Sequence, residues 1–289
     1  MPDFKSIQWF PGHMAKTRKV LKEKLKEVDL VAEILDARIP ISSRNPELDS
    51  IISNKPRVVV LNKTDLSNDF QNKQWMNFYK KIGIYAVPFS IKNSQSTVLF
   101  TNKIMKIMKP KLDFWKTKGM IGREIRIMVV GIPNVGKSSV INRLCKNAKA
   151  RVEDRPGVTR QSQWFWVGKN IQLLDTPGVL WPKFEDENVA YNLAFTGAIK
   201  GQILDIEELA LKFLEKIKVN YSQNLADRFG LEPEFILNSS PLESLEQIGK
   251  KRGMLISGGE VDLLRTSNMI LEEFRNGRLG KITLELAEQ

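Results

Sequence analysis

Two runs in this chain place residues that handle phosphate and a purine base at fixed spacing. Gly131-x-x-x-x-Gly136-Lys137-Ser138 fits a phosphate-binding loop. Its glycines let backbone N–H groups curl round an anion. Lys137 can reach the outer oxygens, and the Ser138 hydroxyl suits Mg²⁺. The apolar run Ile127–Val130 before it reads as a buried strand, and VINRLC after it reads as a helix whose positive end faces the anion. Asn134, Val135, Gly136, Lys137, Ser138 and Ser139 are therefore candidate nucleotide contacts.

The second run is Asn62-Lys63-Thr64-Asp65, an N-K-x-D sequence closing the apolar stretch RVVVL. A carboxylate at Asp65 can accept from both N1–H and the exocyclic amine of guanine. Adenine offers neither donor there, and sites built on such bonds discriminate by about 10⁴ or more. Asn62 would tie the loop together, and the Lys63 stem could cover the base. Ser90-Ile91-Lys92, after another strand-like stretch, stands where a second base-contacting loop would lie. Asp175-Thr176-Pro177-Gly178 is a D-x-x-G sequence, in which Asp175 would bind Mg²⁺ through water and the Gly178 N–H would contact a γ-phosphate. Thr159, in the polar stretch 148–163, is the candidate second hydroxyl for Mg²⁺, ordered when the γ-phosphate is present. No metal-ligand cluster or nucleophile triad is evident, and His13, the single histidine, is by spacing alone an ordinary hydrogen-bonding residue.

The elements that must position these groups follow from periodicity. A basic helix is expected over 15–28, with Met14, Leu21, Leu25 and Val28 as its apolar stripe. Strands are expected at 28–35, 57–61, 84–89 and 127–130, and helices at 45–53, 70–82 and 94–108. Residues 109–126, with Pro110, Gly119 and Gly122, read as a lysine-rich linker. Strands 162–167 and 170–174 would form a hairpin across Gly168. Asp205 and Glu208 suggest a capping box, and further helices are expected at 222–229, 242–251 and 259–276.

The chain has 289 residues, enough for two domains, and a net charge of +12. Residues 1–184 carry 33 Lys and Arg against 15 Asp and Glu, whereas 185–289 carry 12 against 18. That excess points to a polyanion partner, with RNA favoured over a membrane because no amphipathic anchor is evident. No run reaches transmembrane length and no signal peptide opens the chain. Cys145 alone excludes a disulfide framework and suits a reducing cytoplasm. The groups Lys250-Lys251-Arg252 and Arg275, Arg278, Lys281 are candidate RNA contacts or helix C-terminal charges.

Together these are the parts of a GTP-binding domain, with the base-reading half ahead of the phosphate half. The site needs loops at strand ends and is indifferent to chain order between halves. This order, with IQWFPGHM, D-A-R, NKTD, GIPNVGKSS, GVT, DTPG and the tail RTSNMILEEFRNGRLGKITLE, closely resembles the circularly permuted YlqF/RbgA family, GTPases of large-ribosomal-subunit assembly. The resemblance implies an α/β fold: a circularly permuted P-loop GTPase domain at 1–184, mostly parallel sheet with helices on both faces, and a C-terminal α-helical, ribosome-binding domain at 185–289. It implies GTP and GDP as ligands with Mg²⁺, and the immature large ribosomal subunit, RNA and protein, as partner. A cytoplasmic monomer without membrane contact is expected. His13 matches the family's PGHM histidine, thought to act in catalysis; Lys137 and Thr159 are the other candidate catalytic residues. Val179 stands where many GTPases carry the water-orienting glutamine, a replacement the family shares. Asn134 matches an asparagine that helps related GTPases bind K⁺. Ile91 departs from the usual alanine. The rival reading is an RNA-binding assembly module in which GTP sets only affinity.

Overall fold

The computed structural model describes residues 19–52, 55–146, 163–178, 186–199 and 205–287. They form two compact units. One holds residues 19–178 with 285–287, the other residues 186–284.

The first unit is an α/β layer structure. Its strands are β1 (Leu30–Asp36), β2 (Arg57–Asn62), β3 (Tyr85–Pro88), β4 (Ile125–Val130), β5 (Gln163–Val167) and β6 (Ile171–Asp175). They lie in the order β3-β2-β1-β4-β6-β5. All neighbours are parallel except the β5–β6 hairpin, which turns through Gly168 at φ 63°. Aliphatic side chains dominate β1, β2 and β4, as strands covered on both faces require. Every residue of β1 is buried. On one face, Leu21, Leu25 and Val28 pack with Leu48, Ile51 and Ile52 of α1 (Glu47–Ile52) over Val31, Met128, Val130 and Leu174. Further along that face, Trp75 and Tyr79 of α2 (Asp69–Lys81) cover Leu35, Val59 and Leu61. Between the two clusters lies Glu33, fully buried on β1, with Arg44 at 3.6 Å and Arg57 at 3.4 Å. Burial pushes the Glu33 carboxyl up from its ordinary value, against the two guanidinium groups.

Helix α3 (Gln95–Thr117) packs beside β3, and α4 (Lys137–Lys146) beside β5 and β6. Cys145 is buried, as a core thiol should be. The expected linker at 109–126 is corrected here: α3 runs through Pro110 to Thr117, and β4 already starts at Ile125. Proline costs a helix interior about 3 kcal/mol. The buried stripe Phe100, Ile104, Met108 and Trp115 continues across it, so packing outweighs the lost hydrogen bond. The join between the two halves is thereby confined to residues 118–124.

The second unit is helical: α5 (Glu187–Phe195), α6 (Ile206–Phe229), α7 (Pro233–Asn238), α8 (Pro241–Lys251) and α9 (Leu263–Arg275). Phe213 stands at its centre, with ring centroids 5.4 Å from Phe195 and 4.8 Å from Phe274. The helix expected at 222–229 is the end of α6, which bends at Tyr221. Asp205 caps α6 by accepting from the Glu207 and Glu208 amides. The reciprocal capping box belongs to Ser240 and Glu243. Arg275 donates to the Ala194 and Phe195 carbonyls, so it satisfies the end of α5. Among the described residues no helix is long and apolar enough to cross a membrane.

Trp115 tests the extended helix. Trp115→Ala should cost about 3 kcal/mol in urea unfolding. A helix that stopped at Pro110 would leave the midpoint within experimental error.

Candidate functional site

Parallel pairing sends the carboxyl ends of β1, β2, β3, β4 and β6 to one edge of the sheet. From β1 the chain winds outward to β2 and β3, then returns to place β4 on the other side of β1. The crevice at such a reversal is where open α/β sheets bind ligands. N-K-x-D follows β2, Ser90–Lys92 follow β3, the phosphate loop follows β4, and D-x-x-G ends β6.

The N-K-x-D loop and the phosphate loop meet directly. The Asn62 side-chain amide donates to the Val135 carbonyl at 2.8 Å. The Lys63 ammonium donates to the Asn134 carbonyl at 2.9 Å. Lys63 and Asn134 are the two non-glycine residues with positive φ among the described residues, at 63° and 61°. That conformation costs of order 1 kcal/mol at a non-glycine residue and persists where surrounding bonds hold it. A Cβ on Gly136 would lie 2.4 Å from Asn62 Nδ2, so only glycine lets the two loops touch here.

The phosphate cradle is equally tight. A Cβ on Gly178 would lie 2.8 Å from the Pro133 nitrogen and 2.9 Å from Lys137 Nζ. D-x-x-G thus abuts the phosphate loop. Lys137 is buried and donates to the Ile132 carbonyl at 3.0 Å. Burial pushes its pKa down to about 8, with Asp175 opposing the shift. Asp175 pairs in register with Val129 at the end of β4, and Thr176 donates to the Val129 carbonyl at 2.7 Å.

At the other end, Asp65 accepts from Ser90 Oγ at 2.8 Å and pairs with Lys92 at 3.0 Å. Burial opposes its ionisation, but the bonds from Lys92, Ser90 and its own backbone prevail and hold the carboxyl below its ordinary value. Ile91, next in the chain after Ser90, is exposed. Thr64 donates to the Phe89 carbonyl through N–H and hydroxyl, at 3.2 and 3.0 Å, which joins the β2 and β3 loops. Ser138 and Ser139 open α4. His13, Thr159 and Val179 lie outside the described residues.

Sequence reasoning did not anticipate the role of Asp36 and Arg38. Asp36 ends β1, and its carboxylate accepts from Arg38 at 2.9 and 2.7 Å and from Lys63 at 2.9 Å. Both Asp36 and Arg38 are almost wholly buried. Burial alone would raise the Asp36 pKa; Arg38 and Lys63 outweigh it and hold it far below the usual carboxylate range. D-A-R was visible as a motif, but only the fold shows that its carboxylate grips Lys63.

The comparisons with known proteins identify the family. Residues 126–228 match the model of a family described as 50S ribosome-binding GTPase. Ribosome biogenesis GTPase A of Bacillus cereus is 47% identical over 285 residues, covering 98% of this chain and 95% of that protein. The chain belongs to the ribosome biogenesis GTPase A family. It is a GTPase, as the YlqF/RbgA-like motifs imply. Solved structures of YlqF share the fold at 26% identity: a GDP-bound one has a TM-score of 0.67 and covers 93% of this chain and all of that one. A GNP-bound one from T. maritima has a TM-score of 0.66 and covers 95% and 99%.

Family membership brings a guanine nucleotide, typically with Mg²⁺. The residues fit that ion. No group of three or more His, Cys, Asp or Glu among the described residues could cage a metal. Mg²⁺ beside a nucleotide needs only one or two protein oxygens and phosphates. Asp175 at the end of β6 and Ser138 beside Lys137 offer that set.

Asp36→Asn should destabilise the protein by about 3–5 kcal/mol, because it removes the buried carboxylate charge that pairs with both Arg38 and Lys63. The native Asp36 pKa lies below the ordinary 3.8, so its stabilisation is full above about pH 4 and fades as pH falls. Unfolding midpoints measured down to pH 3 should show a flatter acid limb in the variant. Parallel limbs would refute the pairing.

Proposed function

We propose that this chain binds the immature large ribosomal subunit and couples GTP hydrolysis to its late assembly. Its family and the basic excess in residues 1–184 support that partner. The observation that carries the site reading is the pair of hydrogen bonds from Asn62 and Lys63 to the phosphate-loop carbonyls, which supports one crevice for base and phosphate recognition.

In this reading Asp65 accepts from guanine N1–H and its amine, so Lys92 gives way while Ser90 keeps the carboxylate oriented. The Ile91 N–H faces the guanine oxygen. The Lys63 stem covers the base. Backbone N–H groups from Asn134 to Ser139 surround the phosphates, with the Lys137 ammonium on the outer oxygens and the Gly178 N–H on the γ-phosphate. Ser138, Asp175 and Thr159 hold Mg²⁺, which neutralises charge developing between the phosphates when bound. Val179 cannot orient water, and His13 takes that role by accepting a proton from it or aligning it. Asn134 would hold K⁺, which would supply charge that an arginine supplies in other GTPases. The GTPase domain spans 1–184. The helical region that follows, up to the segment 285–287 that joins the GTPase unit, contributes ribosomal contacts, with Arg278, Lys250 and Lys251 exposed for RNA. The protein works in the cytoplasm as a monomer.

Asp65→Asn should weaken GDP binding at least about a hundredfold by calorimetry and remove the preference over ADP. Unchanged discrimination would sink the base-reading assignment. GTP turnover measured with purified large subunits should rise in K⁺ over Na⁺ and fall at least about tenfold in His13→Ala. Equal rates would remove His13 from the chemistry.

A further inference from the structure

Residues 285–287 dock on the nucleotide unit, although the residues just before them belong to the helical unit. The Glu285 carboxylate accepts from the Ile41 amide at 2.6 Å, from the Ser42 amide at 2.9 Å, and from the Ser42 hydroxyl. The Glu285 carbonyl accepts from the Trp75 indole at 2.9 Å, and the Ala287 amide donates to Gln71 at 3.2 Å. Ala287 also packs against the Trp75–Tyr79 cluster. A segment that only trailed over the surface would not engage one loop through a whole carboxylate. Charge-assisted bonds of this kind are about twice as strong as neutral ones.

The loop it grips leads straight to the site. Tyr79 donates its hydroxyl to the Pro40 carbonyl at 3.2 Å, and Ser43 donates its hydroxyl to the Ile39 carbonyl at 2.7 Å. The Asp36 amide donates to Ser43 Oγ at 3.0 Å. The Asp36 carboxylate then holds Lys63, which reaches the Asn134 carbonyl of the phosphate loop. Residues 36–43 therefore form a rigid bracket, with Glu285 at one end and the nucleotide loops at the other.

We propose that Glu285 is a positioning residue for the nucleotide site: by fixing the Ile41–Ser42 backbone it holds Asp36, and through it Lys63, against the phosphate loop. The inference rests on the guanine-site reading above. It makes the segment 285–287 a working part of the GTPase domain. It also makes nucleotide affinity sensitive to anything that lifts this segment away. By linkage, bound nucleotide must strengthen the docking by the same factor.

The test uses the full chain. GDP titration of the wild type comes first, and absence of binding there would defeat the site reading itself. Given that binding, Glu285→Ala should weaken GDP affinity roughly tenfold and raise the KM for GTP, with kcat within about twofold. Glu285→Gln, which keeps an acceptor oxygen, should recover most of the loss. In a Lys63→Met background, Glu285→Ala should add less than about twofold, because its route to the nucleotide is already cut. A merely structural role would lower the active fraction and kcat and leave the KM and the background dependence alone. In the wild type, which escapes any folding defect of the variants, saturating GDP should slow hydrogen exchange at the Ile41 and Ser42 amides by up to about tenfold. GDP affinity within twofold in Glu285→Ala, or exchange at both amides indifferent to GDP, would overturn the proposal.

Discussion

Two hydrogen bonds across the crevice hold this architecture to one site. Asn62 and Lys63 donate to the carbonyls of Val135 and Asn134, which lie 73 and 71 residues further along the chain. They take the place of chain continuity between the half that carries N-K-x-D and the half that carries the phosphate loop. They also hold the positive φ of Lys63 and Asn134, which free peptides of these residues would abandon. Glycine at 136 is the steric condition for the contact.

The sheet makes that contact indifferent to chain order. Because β1, β2, β3, β4 and β6 are parallel, each loop after them emerges on the same edge. Which strand comes first affects only the connections on the far side. The short join at 118–124 replaces what would be a long linker, because α3 runs along the sheet and delivers the chain close to β4. A permuted order therefore costs the site nothing in geometry.

Charges are buried in two places on β1, with different consequences. Glu33 sits between apolar clusters with Arg44 and Arg57, which also bind Asp49 at 2.6 and 2.5 Å. Asp36, three residues on, is gripped by Arg38 and Lys63. Buried ion pairs are poor stabilisers against apolar packing but costly to break. At Asp36 the pair fixes where Lys63 points, toward the Asn134 carbonyl. At Glu33 it fixes the approach of the segment after β1 to the sheet.

The sequence alone determined the strands, the hairpin, most helices and the places of N-K-x-D, Ser90–Lys92, the phosphate loop and D-x-x-G at strand ends, because each rests on local rules of period, turn chemistry and spacing. The family was legible in the order of those motifs. What it could not show was set by contacts distant along the chain. Pro110 reads as a stop, yet the buried stripe from Phe100 to Trp115 carries α3 through it. Asp205 reads as half of a capping box, yet Glu208 accepts from Tyr191 instead. D-A-R gave no hint that Asp36 holds Lys63, and nothing near Glu285 suggests the backbone of Ile41 and Ser42, 243 or more residues earlier. Local propensity records what a segment prefers in isolation. Packing and paired charge, which need both partners in place, decide where that preference yields.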